Sequence, residues 1–236
     1  MRAVAGCIGP TRIPLSSSPS SLQSDVAAAF REQVRALALG GADLIIIETV
    51  YDCANALAAI SAVAGHNAAV SAAASAVASL PLDVQGLPLL PIIVSCTTVS
   101  STGRLLSGES VSEFAAAVIA HCRANRVPLL ALGLNCGGGP EDFEEPLLEL
   151  TRATGSDVPV VCYPNLGFPT TESFDVGSEE GRAVRYLYPE SAKTALLRAV
   201  ASWEGRGVLS IAGSCCGSTP SETAQIAALC RRCDER

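Results

Sequence analysis

The chain has 236 residues, of which 49% are hydrophobic and 17% are charged, a composition that excludes a disordered protein and suits one large domain. Its net charge of −7 argues against nucleic-acid binding, because phosphate recognition needs a basic surface. We expect no apolar run to reach the length of a membrane span, and residues 1–20 lack a signal-peptide pattern, so we predict a cytoplasmic protein without membrane contact.

Six short apolar runs, rich in Val and Ile, predict strands that are buried on both faces of a parallel sheet. In chain order they cover residues 3–8, 44–50, 92–98, 131–136, 160–165 and 209–215. Helical patterns lie between these runs. Apolar residues recur at helical spacing before Gly40, and residues 110–113 and 219–222 each have the spacing of a capping box that opens a helix.

Two segments show neither pattern clearly. Residues 66–91 are rich in Ala and Ser and are predicted to extend a helix or to form an insert. Residues 170–188 are predicted to form a polar loop. Neither segment has the composition of a linker between domains, so we predict a single domain over residues 1–236.

The alternation of strands and helices predicts an α/β fold, either a doubly wound sheet or a (β/α)8 barrel of the TIM type. Polar residues or cysteines close several strands at their carboxyl ends, which favours the barrel, because a barrel collects residues from many strand ends at one mouth. No Gly-x-Gly-x-x-Gly follows the first strand, as the doubly wound alternative would favour. Since six strands are found, we expect an N-terminally truncated barrel with about six of its eight β/α units present.

The chain contains ten cysteines, which in the cytosol are free thiols or metal ligands more often than disulfides. A secreted, disulfide-linked scaffold is the alternative. Four cysteines lie within apolar strands or helices and are predicted to be small core residues, namely Cys7, Cys96, Cys122 and Cys162.

Three other cysteines each follow an apolar run and stand before a turn. Cys136 and the adjacent pair Cys215-Cys216 both precede glycine. In a barrel these strand ends face the same mouth, and three thiolates there predict a zinc site with one position open for a substrate. Zinc lowers the pKa of a bound thiol, and a sulfur-rich shell favours alkyl transfer to that sulfur over hydrolysis. A structural α/β protein with incidental cysteines is the alternative.

Six stretches in chain order resemble the homocysteine S-methyltransferase family, most closely the homocysteine-binding module of cobalamin-dependent methionine synthase. They cover residues 4–11, 41–49, 102–108, 133–136, 163–165 and 213–220. The resemblance implies a zinc-binding barrel that activates homocysteine for methylation to methionine, with Cys136, Cys215 and Cys216 as zinc ligands. It also implies methylcobalamin as the methyl donor, presented by cobalamin- and folate-binding domains or subunits. The alternatives are an S-methylmethionine- or betaine-dependent enzyme and a zinc-binding remnant without catalysis.

Two further residues match functional positions of the family. Glu48 matches the acidic residue that receives the substrate ammonium group, and Asn165 matches a residue that can occupy the open metal position without substrate. From the residues alone, Glu48 ends a very apolar strand, where a charge needs a substrate ammonium, a helix N-terminus or an internal ion pair. Asn165 after Pro164 also suits a turn. The Asp-Gly loop and second β/α unit with which family members begin have no match, so part of the substrate cradle is expected to be absent.

Overall fold

The computed structural model describes residues 3–75, 87–100, 102–167, 169–175 and 182–231. In chain order its strands are β1 (Ala5–Ile8), β2 (Leu44–Val50), β3 (Ile92–Cys96), β4 (Leu129–Asn135), β5 (Val160–Tyr163), β6 (Thr170–Asp175), β7 (Arg182–Leu187) and β8 (Ile211–Ala212). Six of these strands pair in parallel in the order β1-β2-β3-β4-β5-β8, and β6 and β7 pair with each other. This order follows the chain without reversal, as in a partial TIM-type barrel, and confirms the predicted fold class.

Helices connect the parallel strands and cover one face of the sheet. Among the described residues they are α1 (Ser20–Leu39), α2 (Cys53–Ser75), α3 (Val111–Asn125), α4 (Glu144–Thr154), α5 (Glu190–Gly205) and α6 (Pro220–Arg231). The predicted capping box of α3 is confirmed, since Ser110 Oγ accepts from the Glu113 N–H and the Glu113 carboxylate accepts from the Ser110 N–H. At α6 the Glu222 carboxylate accepts from both the N–H and the hydroxyl of Thr219.

The two faces of the sheet have different surroundings. Alternate strand residues such as Ile45 and Ile47 are buried beneath the helices. The opposite face, which we call the inner face, bears Glu48, Ser95, Asn135 and Tyr163 near the carboxyl ends of the strands. The inner face is therefore the one that corresponds to the interior of a barrel.

Close contact between β4 and β5 requires a glycine on the inner face. Gly133 pairs with Val161, and a Cβ atom at Gly133 would lie 2.0 Å from the Val161 carbonyl oxygen. A larger residue would thus force the two strands apart at the level just below Asn135 and Tyr163.

The prediction that Cys7 is a core residue is wrong. Cys96, Cys122 and Cys162 are buried as predicted, whereas Cys7 is exposed. Cys7 pairs with Ile46 on the edge strand β1, and its side chain lies beside Glu48 on the inner face. Among the described residues no strand pairs with the outer edge of β1, so a position that would be interior in a full barrel is open to solvent.

The two segments without a clear pattern have different outcomes. Residues 66–75 extend α2, as one of the predicted alternatives required, while residues 76–86 lie outside the described residues. The predicted loop over residues 170–188 is wrong where the structure describes it, because β6 and β7 are antiparallel strands in which Thr170 pairs with Leu187 and Asp175 with Arg182, while residues 176–181 lie outside the described residues. Alternation is weak in these polar strands, which is why the sequence pattern did not reveal them.

One helix corrects the expectation that no apolar run is long enough to cross a membrane. Cys53–Ala73 in α2 has the length and composition of a span, and 33% of an 18-residue stretch of it is buried inside the structure. Ala56, Ala59, Ile60 and Val63 on one face of α2 are fully buried. That pattern is the one expected of a core helix, which packs small apolar residues against its neighbours.

Candidate metal centre

The three cysteines that were predicted to bind zinc come together at the carboxyl ends of β4 and β8. Their Sγ atoms all lie within 4.8 Å of one another, and those of Cys136 and Cys216 are 3.9 Å apart. Tetrahedral zinc with Zn–S bonds of about 2.3 Å places its sulfur ligands about 3.8 Å apart. The donor set therefore fits zinc in both chemistry and spacing. Cys136 and Cys215 are half-buried and Cys216 is exposed, so the cluster is accessible from solvent.

Backbone hydrogen bonds hold the cysteine loops to the loop that follows β5. The Cys215 N–H donates to the Pro164 carbonyl at 2.8 Å, and the Leu166 N–H donates to the Cys216 carbonyl at 3.0 Å. The Cys136 N–H donates to the carbonyl of Tyr163, the last residue of β5. The β5 end thus acts as a template that sets the separation of the two cysteine loops.

A sharp turn allows the adjacent cysteines to point toward the same place. Consecutive residues on a strand face opposite sides of a sheet, but β8 ends at Ala212, before the pair. The Ser218 N–H bonds to the Cys215 carbonyl, and Gly217 has a φ of +85°. A Cβ atom at Gly217 would lie 2.3 Å from the Tyr188 ring, so the turn requires glycine for both its conformation and its contact.

The three thiols differ in their tendency to ionise. Hydrogen bonds from the Cys215 thiol, the Gly137 N–H and the Cys216 and Asn165 side chains outweigh burial and lower the pKa of Cys136 to about 5. The hydrogen bond to Cys136, together with burial, raises the pKa of Cys215. Burial and the negative charge of Cys136 raise the pKa of Cys216. At neutral pH the metal-free cluster therefore carries one thiolate and two thiols, and a divalent cation would stabilise the remaining two ionisations.

Two buried hydroxyl groups flank the cysteine pair without a partner. Within the described part of the chain, the Oγ atoms of Ser214 and Ser218 are the buried side-chain polar atoms that lack a hydrogen bond. Buried polar groups rarely stay unpaired, and ligands of a metal are commonly hydrogen-bonded by residues around them. The pair of unpartnered hydroxyls is thus a second observation that fits a charged metal–sulfur group at this site.

Asn165 lies at the cluster, as the family resemblance implied. Its Oδ1 accepts a hydrogen bond from the Cys216 N–H at 3.0 Å, and its side chain also bonds to the Cys136 sulfur. The alternative that Asn165 only forms a turn does not explain its side-chain contacts, because the side chain bridges both cysteine loops. Its predicted occupancy of an open metal position stays a prediction.

Glu48 lies on the inner face at the end of β2, where it is half-buried. Its negative charge adds to burial in raising the pKa values of Cys7 and Tyr163, so the carboxylate lies near both side chains. Cys215 is a further, smaller cause of the raised pKa of Tyr163, so Tyr163 lies near both the carboxylate and the cysteine cluster. The alternative that Glu48 caps a helix is wrong, because Asp52 accepts the backbone N–H bonds at the start of α2.

Sequence reasoning missed Asn135, the last residue of β4. Asn135 is fully buried, and its side chain bonds to Thr49 and Ser95 on the two preceding strands. Ser95 also bonds to the Tyr163 hydroxyl. The available signal was an amide at the end of an otherwise apolar strand, where a buried polar group must find partners.

Comparisons with known proteins agree with these observations. The model of the family described as homocysteine S-methyltransferase matches residues 1–230. Two crystal structures of the homocysteine methyltransferase MmuM from Escherichia coli, an apo form and a metallated form, are similar with TM-scores of 0.61 and 0.59. Each is 21% identical and is matched over 96% of the present chain, which spans 62% and 60% of the two MmuM chains.

Proposed function

We propose that this chain, which belongs to the homocysteine S-methyltransferase family, binds zinc through Cys136, Cys215 and Cys216 and prepares the thiol of homocysteine for methylation to methionine. The observation that carries the proposal is the convergence of three cysteine sulfurs within 4.8 Å on a face that also bears a carboxylate. Neither feature alone specifies homocysteine. Together they match a substrate with a thiol at one end and an ammonium group at the other.

Different residues of the chain bind the two ends of the substrate. The Glu48 carboxylate binds the ammonium group and orients the amino acid, since a half-buried carboxylate gains most from a cationic partner. The three cysteines hold the metal. The side-chain oxygen of Asn165 fixes the Cys216 loop by accepting a hydrogen bond from the Cys216 N–H. When bound, zinc supplies a thiolate at neutral pH by lowering the pKa of the substrate thiol. In the overall reaction the homocysteine sulfur loses its proton and gains the methyl group of the donor.

For the donor we propose methylcobalamin, presented by a separate cobalamin-binding domain or subunit, with a folate-binding domain as its methyl source. Support comes from the cysteine-pair and Asn-Cys stretches, which resemble the module of methionine synthase. The chain spans about 60% of the MmuM chains. An assay that offers methylcobalamin, S-methylmethionine and betaine in turn separates this donor from the alternatives.

A second candidate is a zinc-binding remnant that lacks catalysis. The observation that favours it is the open inner face, where Cys7 is exposed and Ile211 is 40% exposed. A substrate bound there would be only partly enclosed, and enclosure from water strengthens electrostatic contacts.

Titration of homocysteine into the zinc-loaded 236-residue chain under reducing conditions separates the two candidates. Saturable binding in the micromolar range supports the methyltransferase and contradicts the remnant. Absence of saturable binding, with zinc still present, contradicts the methyltransferase.

A further inference from the structure

Asn135 connects three neighbouring strand ends through one fully buried side chain. Its Oδ1 accepts from the Thr49 N–H at 2.8 Å and from the Ser95 hydroxyl at 2.6 Å. Its Nδ2 donates to the Thr49 hydroxyl at 2.7 Å. The N–H and the hydroxyl of Thr49 are thus both held by a single amide.

Thr49 has a backbone conformation that it would not adopt without such support. Its φ is +57°, in the left-handed region, which is unfavourable for a β-branched residue. The pairing of β2 with β3 also shifts register here, because Ile47 pairs with Val94 whereas Val50 pairs with Cys96. One extra residue is therefore accommodated between Ile47 and Val50, as in a β-bulge, and bulges re-aim nearby side chains.

The bulge contains Glu48, and the amide of Asn135 holds the residue that follows it. The backbone of Asn135 continues directly into Cys136, which also has a left-handed φ of +58°. One residue is therefore tied through its side chain to the carboxylate segment and through its backbone to a cysteine of the cluster.

We infer that Asn135 is a positioning residue that sets the place of Glu48 relative to the cysteine cluster and so makes the site select an aminothiol of the length of homocysteine. This inference rests on the proposed binding of homocysteine. Asn135 itself touches neither the ammonium group nor the thiol. It acts through Thr49, whose fixed conformation determines the direction of the preceding side chain.

The test uses the zinc-loaded chain with two thiol probes, homocysteine and 4-mercaptobutanoate, which lacks the amino group. For Asn135→Ala we expect the homocysteine Kd to rise by about 10-fold, while the Kd of 4-mercaptobutanoate and the zinc stoichiometry stay within about two-fold of the parent chain. Glu48→Gln should give a similar selective loss. The double variant Asn135→Ala/Glu48→Gln should bind homocysteine no more weakly than Glu48→Gln alone. The reason is that a misplaced carboxylate and an absent one both leave the ammonium group without its partner.

Thr49→Val provides a second test that deletes only the hydroxyl partner of Asn135, with Thr49→Ser as its matched control. We expect Thr49→Val to weaken homocysteine binding selectively and Thr49→Ser to bind as the parent chain does. Equal weakening of both probes by Asn135→Ala and Thr49→Val, additive effects with Glu48→Gln, or unchanged homocysteine binding would overturn the inference. Absence of homocysteine binding in the parent chain would instead overturn the proposed function, which makes the two failures distinguishable.

Discussion

The sulfur atoms of Cys136 and Cys216 lie 3.9 Å apart although 80 positions of sequence separate the two residues. Parallel strands in sequential order bring their carboxyl ends to one edge of the sheet, and the loop after β5 bonds to both cysteine loops. The proximity therefore follows from the fold and does not require a bound ion to create it. Such a preformed site needs little reorganisation when a metal binds.

Metal binding should release protons, because two of the three thiols stay protonated in the metal-free chain at neutral pH. The pKa of Cys136 is lowered to about 5, so it is ionised, whereas the pKa values of Cys215 and Cys216 are raised. We expect zinc binding at pH 7 to release about two protons and the affinity to increase about 100-fold per pH unit from pH 6 to 8. Calorimetric titration in buffers of different ionisation enthalpy measures this release. A release of less than one proton would show that most of these thiols are already ionised in the metal-free chain at pH 7, which contradicts the raised pKa values of Cys215 and Cys216.

Replacing the carboxylate on the inner face should weaken substrate binding without removing the metal. We expect Glu48→Gln to raise the homocysteine Kd by at least about 10-fold, since a charged hydrogen bond contributes about 1.5–3 kcal/mol, and to leave zinc stoichiometry unchanged. Glu145→Gln, at an exposed position of α4, is the matched control and should bind homocysteine normally. If Glu48→Gln binds homocysteine as tightly as Glu145→Gln does, Glu48 is not the ammonium site.

A methyl group at Gly217 should disturb the turn that aims the cysteine pair. Gly217→Ala places a Cβ 2.3 Å from the Tyr188 ring at a φ of +85°, so the loop must shift. We expect zinc affinity to fall by at least about 10-fold, because a backbone conformation that alanine disfavours costs about 1–2 kcal/mol before the clash is counted. In Gly205→Ala, the control, no heavy atom lies within 4 Å of the new Cβ, and metal affinity should be retained. Equal affinities in a chelator competition would contradict this account of the turn.

Glu222 should stabilise the start of α6 in a pH-dependent manner. Hydrogen bonds from the Thr219 hydroxyl and N–H lower the pKa of Glu222, so its stabilisation is present above its unfolded pKa and is lost as the pH falls toward the folded value. We expect Glu222→Gln to lower the free energy of unfolding at pH 7 by about 1 kcal/mol, which corresponds to about 2–4 °C in Tm. The difference from the parent chain should shrink as the pH falls through 4. A difference that grows in acid would contradict the assigned role.

Much of the fold could be predicted because its signals are local. Apolar runs such as Leu44–Val50 identify buried parallel strands, and Ser110 with Glu113 identifies the start of a helix. The antiparallel pair of β6 and β7 could not be predicted, since its strands are polar and, within the part of the chain that the structure describes, pair with no other strand. The exposure of Cys7 was missed because burial at an edge strand depends on which strands lie beside it, and that is not a property of the local sequence.

The candidate site could likewise be predicted only in part. The cysteines could be found because thiols before glycine at strand ends form a distinctive pattern, and the structure brings them together. Asn135 could not be assigned, because its importance lies in the conformation of Thr49, a residue 86 positions earlier. Left-handed backbone at a threonine leaves no mark in the sequence. Zinc, methylcobalamin and cytoplasmic location stay predictions.

The most direct test of the account is the zinc content of the reduced chain and of three single variants, Cys136→Ser, Cys215→Ser and Cys216→Ser. Cys230→Ser, a half-buried cysteine in α6, is the matched control. We predict one zinc ion per chain in the parent and in Cys230→Ser, and a loss of at least about 100-fold in zinc affinity in each of the other three variants. A parent chain without stoichiometric zinc, or a variant at position 136, 215 or 216 that binds zinc as tightly as the parent, would contradict it.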